Sequence, residues 1–417
     1  MKFAIETLGC RLNMAESQSI ATALLIEGHE QSPAEQAELV IINSCCVTSR
    51  SEQKSRKLLN HFLRLHKDTN VRVIFTGCAV SMERAGSFEC HIANGRKAYI
   101  PEIGARFERA ENILAADENK FAYVPATLSS RIRASIKIQD GCNAGCSYCV
   151  VPRTRGCEES RPLADILFDG EHIVAAGYKE IILTGANISA YNYEGAGLAD
   201  VAEALLGISG DYRLHISSVS PAAVSDKLLD IMTSSRVVKH LHISLQSGSD
   251  RILAKMNRRY TSADYLRVIE KIRRRIDPIN VTTDAIVGFP TETDDDFAAT
   301  ANIVRQAQFS KVHVFRFSKR DGTAANLMQG QVDEKKKIER AGILSEISEK
   351  QGRAWLESFN GKQSVVLSEG EAVGAARGFN EYYTSVALNE AVPAGRFCKV
   401  TTEFNGRELA AKDIELL

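Results

Sequence analysis

Gln139-Asp-Gly-Cys142-Asn-Ala-Gly-Cys146-Ser-Tyr-Cys149 sets three thiols at spacings of four and three residues, directly after the strand-like run Ile132–Ile138. Thiolates are soft ligands that suit zinc, cuprous copper or iron–sulfur clusters. Iron–sulfur cubes usually take four cysteines, so three on one short loop would leave one iron open to a substrate. Structural zinc is the alternative: it wants four closed ligands, and Cys157 lies near enough in sequence to be the fourth.

The surrounding pattern bears on that choice. From Ile132 to about Trp355, strand and helix patterns alternate six times. The expected strands are Ile132–Ile138, Glu180–Leu183, Arg213–Ile216, Leu241–Leu245, Val281–Val287 and Lys311–Phe317. Helical patterns follow, among them Leu163–Ala176, Ala263–Ile276 and Asp294–Gln308. This predicts a partial, TIM-like (β/α)6 barrel, whose active site lies at the carboxyl ends of the strands. Small and polar residues gather at those ends: the Cys142 loop, Thr184-Gly185-Ala186-Asn187, Ser217-Ser218, Gln246-Ser247-Gly248-Ser249, Gly288-Phe289-Pro290-Thr291 and Ser318-Lys319-Arg320. Singly, each reads as a turn. Six on one rim allow close backbone approach and hydrogen bonds to a polar ligand.

With Tyr148 just before its third cysteine, the loop resembles the signature of the radical S-adenosylmethionine (SAM) superfamily. That resemblance implies a [4Fe-4S] cluster on Cys142, Cys146 and Cys149 whose open iron is chelated by SAM, and reductive cleavage to a 5′-deoxyadenosyl radical. It also implies that Thr184 and Gly185 receive the amino end of SAM. Gln246 and Ile286-Val287-Gly288 would face its ribose or adenine, with Tyr148 beside the adenine. Asn187 and Ser218 join the cofactor-binding candidates on the same rim.

The first third has three short apolar runs, Phe3–Thr7, Leu39–Asn43 and Val71–Phe75, separated by helical patterns over Met14–Glu27 and Ser51–His66. Such alternation predicts a Rossmann- or flavodoxin-like parallel α/β domain. Cys10, Cys45 and Cys78 each fall just past one of the three strands, on the sheet edge where ligands collect in such folds. Three unrelated buried thiols would not require the same topological position three times. Cys46 points away from its neighbour Cys45 if both are extended, and Cys90 and Cys398 read as ordinary apolar side chains. Thr7-Leu-Gly-Cys10-Arg-Leu-Asn13, Ile42-Asn-Ser-Cys45 and Thr76-Gly-Cys78, taken with the Cys142 loop, resemble the methylthiotransferase family of radical SAM enzymes over nearly the whole chain. The resemblance implies an auxiliary [4Fe-4S] cluster on Cys10, Cys45 and Cys78. The chain departs from the usual residues at Cys46, at Cys157 (commonly Pro) and at Thr291 (commonly Gly).

The chain has 417 residues with 52 basic against 52 acidic, so two or three domains are expected and no global charge draws it to nucleic acid or membrane. No apolar run reaches transmembrane length, and residues 1–10 lack signal-peptide order. Ten cysteines in that setting predict metal or catalytic use in a reducing cytoplasm, not a disulfide framework. The expected domains are residues 1–120, 131–356 and 358–417, with a polar linker over Asp117–Arg133, where Arg131 and Arg133 meet either solvent or phosphate. The arginine-dense run Pro152–Arg161 reads equally as a phosphate or carboxylate contact and as a surface loop. Lys271–Arg275 and Lys335–Lys337 read as solvated helix faces.

From Ser358 short β-rich runs (Ser364–Leu367, Thr384–Leu388, Phe397–Thr402, Glu408–Ala411) predict a small antiparallel, OB-like barrel. By resemblance it is a TRAM domain, a module that grips tRNA. It carries six basic residues against eight acidic, a net of −2, so counterion release cannot drive RNA binding there. Stacking on Phe379, Tyr382, Tyr383 or Phe404 is the available substitute, against core packing for at least two of them.

The resemblance implies two [4Fe-4S] clusters, two SAM per turnover, an external electron donor and a sulfur source that the residues do not name. One SAM methylates a sulfur held at the auxiliary cluster, the other starts hydrogen abstraction, and no side chain acts as acid or base in that step. The motif forms at Thr7–Asn13, Leu245–Ser249 and Ser318–Arg320 are most similar to the branch that modifies C2 of N6-threonylcarbamoyladenosine beside the tRNA anticodon. Isopentenyladenosine in tRNA and an aspartate of a ribosomal protein are the family's other substrates. Two rivals stand outside: a radical SAM enzyme of small molecules, and a zinc-containing RNA-binding protein.

Overall fold

The computed structural model describes residues 1–67, 69–80, 91–105, 118–128, 132–372 and 375–417; Cys90, Arg131 and parts of the expected linker lie outside them. The N-terminal sheet is fully parallel: β1 (Lys2–Thr7), β2 (Glu30–Gln31), β3 (Leu39–Ser44), β4 (Arg72–Gly77) and β5 (His91–Ile92), in the order β2-β1-β3-β4-β5. The run Leu39-Val40-Ile41-Ile42 forms the central strand because both its faces are covered. Leu39 and Ile41 pack on Ile20 and Leu24 of α1 (Arg11–Ile26), while Val40 and Ile42 pack on Leu59 and Phe62 of α2 (Ser49–Leu65). Helix α1 starts three residues earlier than its apolar pattern suggests, because Cys10 is its N-cap. A capping box of Thr48 and Ser51 starts α2.

The middle of the chain forms a six-stranded partial barrel. Strands β6 (Arg133–Asp140), β8 (Glu180–Gly185) and β11 (Arg213–Ile216) form one sheet, edged by β7 (Glu159–Ser160). Strands β12 (His240–His242), β13 (Asn280–Val287) and β14 (Lys311–Arg316) form the other; a small hairpin, β9 and β10 (Asn192–Tyr193, Ala196–Gly197), lies outside both. Parallel bridges Leu214–Val237 and Val219–Ile243 join the two sheets. Strand β12 is shorter than expected because the chain leaves the ladder after His242, and the Leu245 N–H bonds the Thr283 hydroxyl at 2.9 Å.

Alternation along these strands decides what the barrel can do. Ile136, Ile181, Leu183, Leu214, Ile216, Leu241, Val281 and Ala285 point outward into one apolar core beneath the helices. Their neighbours Lys137, Glu180, Thr184, His215, His240, His242, Thr282 and Asp284 therefore face the lumen. A TIM lumen is normally packed with branched apolar side chains; this one is polar. Helix α1 packs against β6 and β8 from the lumen side, with Glu16 bonded to Lys137 at 2.8 Å.

Helix Glu334–Glu357 leads into a closed barrel of β15 (Gln363–Ala372), β16 (Ala375–Phe379), β17 (Ser385–Leu388), β18 (Phe397–Phe404) and β19 (Leu409–Leu416), in the order β15-β16-β17-β19-β18. It has one strand more than the sequence pattern showed. Ala-Ala-Arg-Gly-Phe lacks the β-branched residues that mark a strand, and pairing with β15 and β17 decides it. The four aromatics expected to offer stacking faces are half-buried, two against the barrel core and two at its junction with the rest of the chain. Tyr382 packs on Phe359 and Trp355, Phe404 packs on the C-terminal core, and Phe379 stacks on Tyr383 at 4.7 Å.

Candidate functional site

The parallel register brings the first cysteine trio to one edge. Thr7 pairs with Asn43 and Asn43 with Thr76, so the residues after β1, β3 and β4 emerge side by side. Cys10, Cys45 and Cys78 stand there; Cys10 is exposed, Cys45 and Cys78 buried. Gly9 has φ +96°, and a Cβ there would lie 2.7 Å from the Cys45 Sγ, so only glycine lets the Cys45 thiol sit against the Cys10 turn. Burial pushes the Cys45 thiol up, with Cys78 and Cys10 both close enough to add to the rise. Cys46 points elsewhere: its thiol donates to the Cys78 carbonyl at 3.2 Å, and burial pushes it up to about 12.

The second trio is held by donors. The Ala144 N–H and the Asn187 amide point at Cys142 Sγ (3.5 and 3.8 Å), the Val151 N–H at Cys149 Sγ (3.5 Å), and the Arg258 guanidinium at Cys146 Sγ (3.3 Å). Hydrogen bonds aimed at each sulfur are what anionic thiolate ligands call for, so the loop fits an iron–sulfur cluster. Cys157 departs from this set. Its carbonyl, not its exposed thiol, meets the loop, where a Cβ on Gly141 would strike it. Among the described residues no three His, Cys, Asp or Glu side chains close on a point as they do around a single ion.

Arg258 carries no local motif, and the sequence pattern did not reveal it. Asn257 grips the Gly145 carbonyl at 2.9 Å and the Met256 carbonyl accepts from Ser147 at 3.2 Å, so the segment after helix Asp250–Lys255 clamps the cysteine loop.

Among the rim residues, Thr184, Gly185 and Ser218 line a cavity of about 770 Å3 that also reaches Cys10 and Cys78. Gly185 sits 2.8 Å, measured from an added Cβ, from the Gln139 carbonyl, and the Gln139 side chain accepts from the Asn187 N–H at 2.7 Å. Tyr148 and Ile286 pack together on Phe289 and its neighbours. Gln246 is buried with φ +67° and links β13 through the Asp284 carbonyl at 2.8 Å. Gly288 is crowded by the stem of Lys337, 2.3 Å from an added Cβ, so close helix packing demands glycine there. Thr291 also has positive φ (+69°), an outlier for a β-branched residue. It is held by the Gly330 carbonyl and by Lys255 Nζ at 2.6 Å.

The arginine-dense run is solvated only in part: Arg153 and residues 156–159 are exposed, but Arg155 and Arg161 are buried. Arg155 is buried between Glu16 of α1 (2.9 Å) and Asp140 of β6 (3.1 Å), and donates to Asn13 at 2.6 Å. Lys97 and Lys137 complete the cluster on Glu16 at 2.5 and 2.8 Å. Burial alone would raise the Glu16 carboxyl, but Arg155, Lys137 and Lys97 hold it well below the usual range. Asn13 follows Cys10 by three residues and Asp140 precedes Cys142 by two, so this one buried network ties the two cysteine loops together. Arg161 is likewise buried, on Asp169. Of the lysine run at 335–337, Lys337 is buried instead of solvated.

Comparison with known proteins agrees with this architecture. The Radical SAM superfamily matches residues 136–304, and a family described as Uncharacterized protein family UPF0004 matches residues 2–92. The solved radical SAM methyltransferase TsrM of Kitasatospora setae superposes with a TM-score of 0.55 over 78% of this chain and 77% of its own, at 14% identity, a likeness of fold. Fold and loop together define a radical SAM enzyme, a class whose cofactors are a [4Fe-4S] cluster and SAM. The threonylcarbamoyladenosine tRNA methylthiotransferase MtaB of Thermotoga maritima is 36% identical over 91% of this chain and 89% of its own length. The tRNA-2-methylthio-N(6)-dimethylallyladenosine synthase of Thermotoga petrophila is 34% identical over 89% and 87%. The chain therefore belongs to the radical SAM tRNA methylthiotransferase family. Among the described residues no helix is long and apolar enough to cross a membrane.

Proposed function

We propose that this chain attaches a methylthio group to C2 of N6-threonylcarbamoyladenosine in tRNA. The observation that carries the choice of substrate is the floor of the cavity. Below Cys10, Cys78 and the Thr184–Ala186 rim it is lined by His240, His242, Thr282, His313, Asn280 and Lys311. Its one carboxylate, Asp284, already faces His242 at 3.1 Å, while Lys311 has no ion pair among the described residues. A threonylcarbamoyl group brings a carboxylate, a hydroxyl and a ureido group to such a surface. His240, His242, Thr282 and Asn280 are already hydrogen-bonded within the protein, so Lys311 is the group a substrate carboxylate would satisfy, and a dimethylallyl group offers it no counter-charge.

Cys142, Cys146 and Cys149 would hold one [4Fe-4S] cluster with SAM, and Cys10, Cys45 and Cys78 a second. When bound, the first with SAM supplies hydrogen-atom removal from an unactivated C–H, and the second supplies the sulfur that is methylated and transferred. The protein's own contribution is positioning. Arg258 and Asn187 fix the first loop, Tyr148 and Ile286 wall the adenine side, Thr184, Gly185 and Ser218 give a close polar rim, and Lys311 anchors the substrate's carboxylate.

The test is mass spectrometry of nucleosides from tRNA of cells lacking the protein, with anaerobically purified protein added back. Loss of 2-methylthio-N6-threonylcarbamoyladenosine and its restoration are expected, with Lys311→Met lowering restoration through KM more than kcat. Loss of the dimethylallyl product instead would overturn the substrate. A colourless protein with stoichiometric zinc and no sulfide would overturn the chemistry.

A further inference from the structure

The chain is neutral overall and its C-terminal barrel is acidic on balance, yet one element concentrates positive charge. Ser49–Lys67, helix α2 and the turn after it, holds six basic residues against the single acid Glu52. Arg50, Lys54, Lys57, His61 and Arg64 recur at steps of four, three, four and three, so they share one stripe of the helix. All five are exposed, while Leu59 and Phe62 on the opposite face enter the core. At 1.5 Å per residue the stripe is about 21 Å long.

Ion pairing separates this stripe from the chain's other cationic runs. Lys271 pairs with Asp226 at 2.9 Å, Arg275 with Asp230, Lys336 with Asp294 at 3.0 Å and Lys337 with Glu334 at 3.5 Å. On α2 only Arg56 is matched, by Glu52 at 3.0 Å. Arg50, Lys54, Lys57 and Arg64 make no ion pair among the described residues. Four uncompensated cations on one exposed line repel one another unless an anion lies along them. The position of α2 says which anion. Val47, just before its first turn, lines the substrate cavity. That turn is bolted to the barrel rim by Ser49 to Ser318 (2.7 Å) and Glu52 to Arg320 (2.5 Å). The stripe thus begins at the cavity wall and runs outward to a hollow lined by Asn60, Leu63, Arg64 and Lys67.

We infer that the exposed face of α2 is a docking surface for the phosphodiester backbone of the RNA whose base enters the cavity, a role that rests on the tRNA reading above. Arg50, Lys54, Lys57 and Arg64 neutralise successive phosphates, and the interaction is independent of base sequence.

The experiment measures binding of the full chain to tRNA from cells lacking the protein, across 50 to 200 mM salt. Removing one phosphate-neutralising cation should flatten the log–log salt slope by about 0.7–0.9. Over that range the wild type's affinity should therefore fall about 20- to 40-fold further than that of the Lys54→Ala/Lys57→Ala/Arg64→Ala variant. The charge-keeping variant Lys54→Arg/Lys57→Arg/Arg64→Lys should restore the slope, and Arg275→Ala/Lys336→Ala should leave it unchanged. A wild type that binds with a salt slope equal to that of the triple alanine variant overturns this surface while leaving the tRNA reading standing. A wild type that binds no tRNA even at low salt overturns both.

Discussion

Adjacent cysteines whose thiols point in opposite directions show how much one residue step matters. Cys45 turns toward Gly9 and the Cys10 turn, while Cys46 turns back to the Cys78 carbonyl and is fully buried. Adjacent extended residues point to opposite faces, and the direction each thiol takes after β3 separates them. On the two-cluster proposal, Cys45→Ala should cost the protein about half of its iron and acid-labile sulfide after anaerobic reconstitution, whereas Cys46→Ala should keep all of it. The reverse pattern would reassign the ligand. Thr291 is a second residue-scale departure. Where the family resemblance leads one to expect Gly, this chain keeps a positive φ and bonds the threonine hydroxyl to Lys255.

At the scale of elements, β8, β11, β12 and β13 present a hydrogen-bonded row across the lumen. Glu180 faces His215 at 3.3 Å, His215 faces His240 at 3.1 Å, and the Thr282 hydroxyl bridges His240 and His242 at 2.9 and 3.0 Å. Burial pushes His215 down to about 4 and holds His240 well below the usual histidine range. Glu180, though buried, is kept ionised by Arg213, His215 and Arg133. With both rings neutral in the folded chain, the unfolded chain binds more protons below pH 6.5, so stability falls as pH drops from about 6.5 toward 4. His215 alone accounts for about 3 kcal/mol of that loss at its low end. The unfolding midpoint of His215→Gln, followed by circular dichroism from pH 7 to 4.5, should fall less than that of the wild type; an identical slope would refute the neutral ring. The strands carrying this row were legible as apolar runs. Their lumen-facing polar residues were not legible as a site, because alternate polar positions also mark a solvated face.

Across the whole molecule, three modules meet at Tyr383. The Lys239 N–H donates to the Glu381 carbonyl (2.7 Å) and the Asn280 amide to that of Tyr382 (2.8 Å), pinning the β16–β17 loop against the amino ends of the barrel strands. There the Tyr383 ring lies 4.2 Å from His215, and its hydroxyl accepts from Arg11 at 2.8 Å. Arg11 follows Cys10, so the C-terminal barrel closes the floor of the cavity and touches the N-terminal cysteine turn. Tyr383→Ala should uncouple the C-terminal barrel and split a single unfolding transition into two in urea, whereas Tyr383→Phe should keep one transition and cost about 1.5–3 kcal/mol for the hydroxyl's bond to a charged guanidinium. One transition in the alanine variant would mean that this junction couples nothing.

The cysteine spacings, the three strand ends that carry Cys10, Cys45 and Cys78, and the small polar rim of the barrel were written in the sequence. Each depends on neighbours a few residues apart and on periodicities that local sterics enforce. The placement of α1 in the lumen, the Arg155–Glu16–Lys97 network and the Arg11–Tyr383 bond across 372 residues were decided by tertiary structure alone. They join side chains whose partners lie on other modules, and no local period encodes which buried charge will meet which.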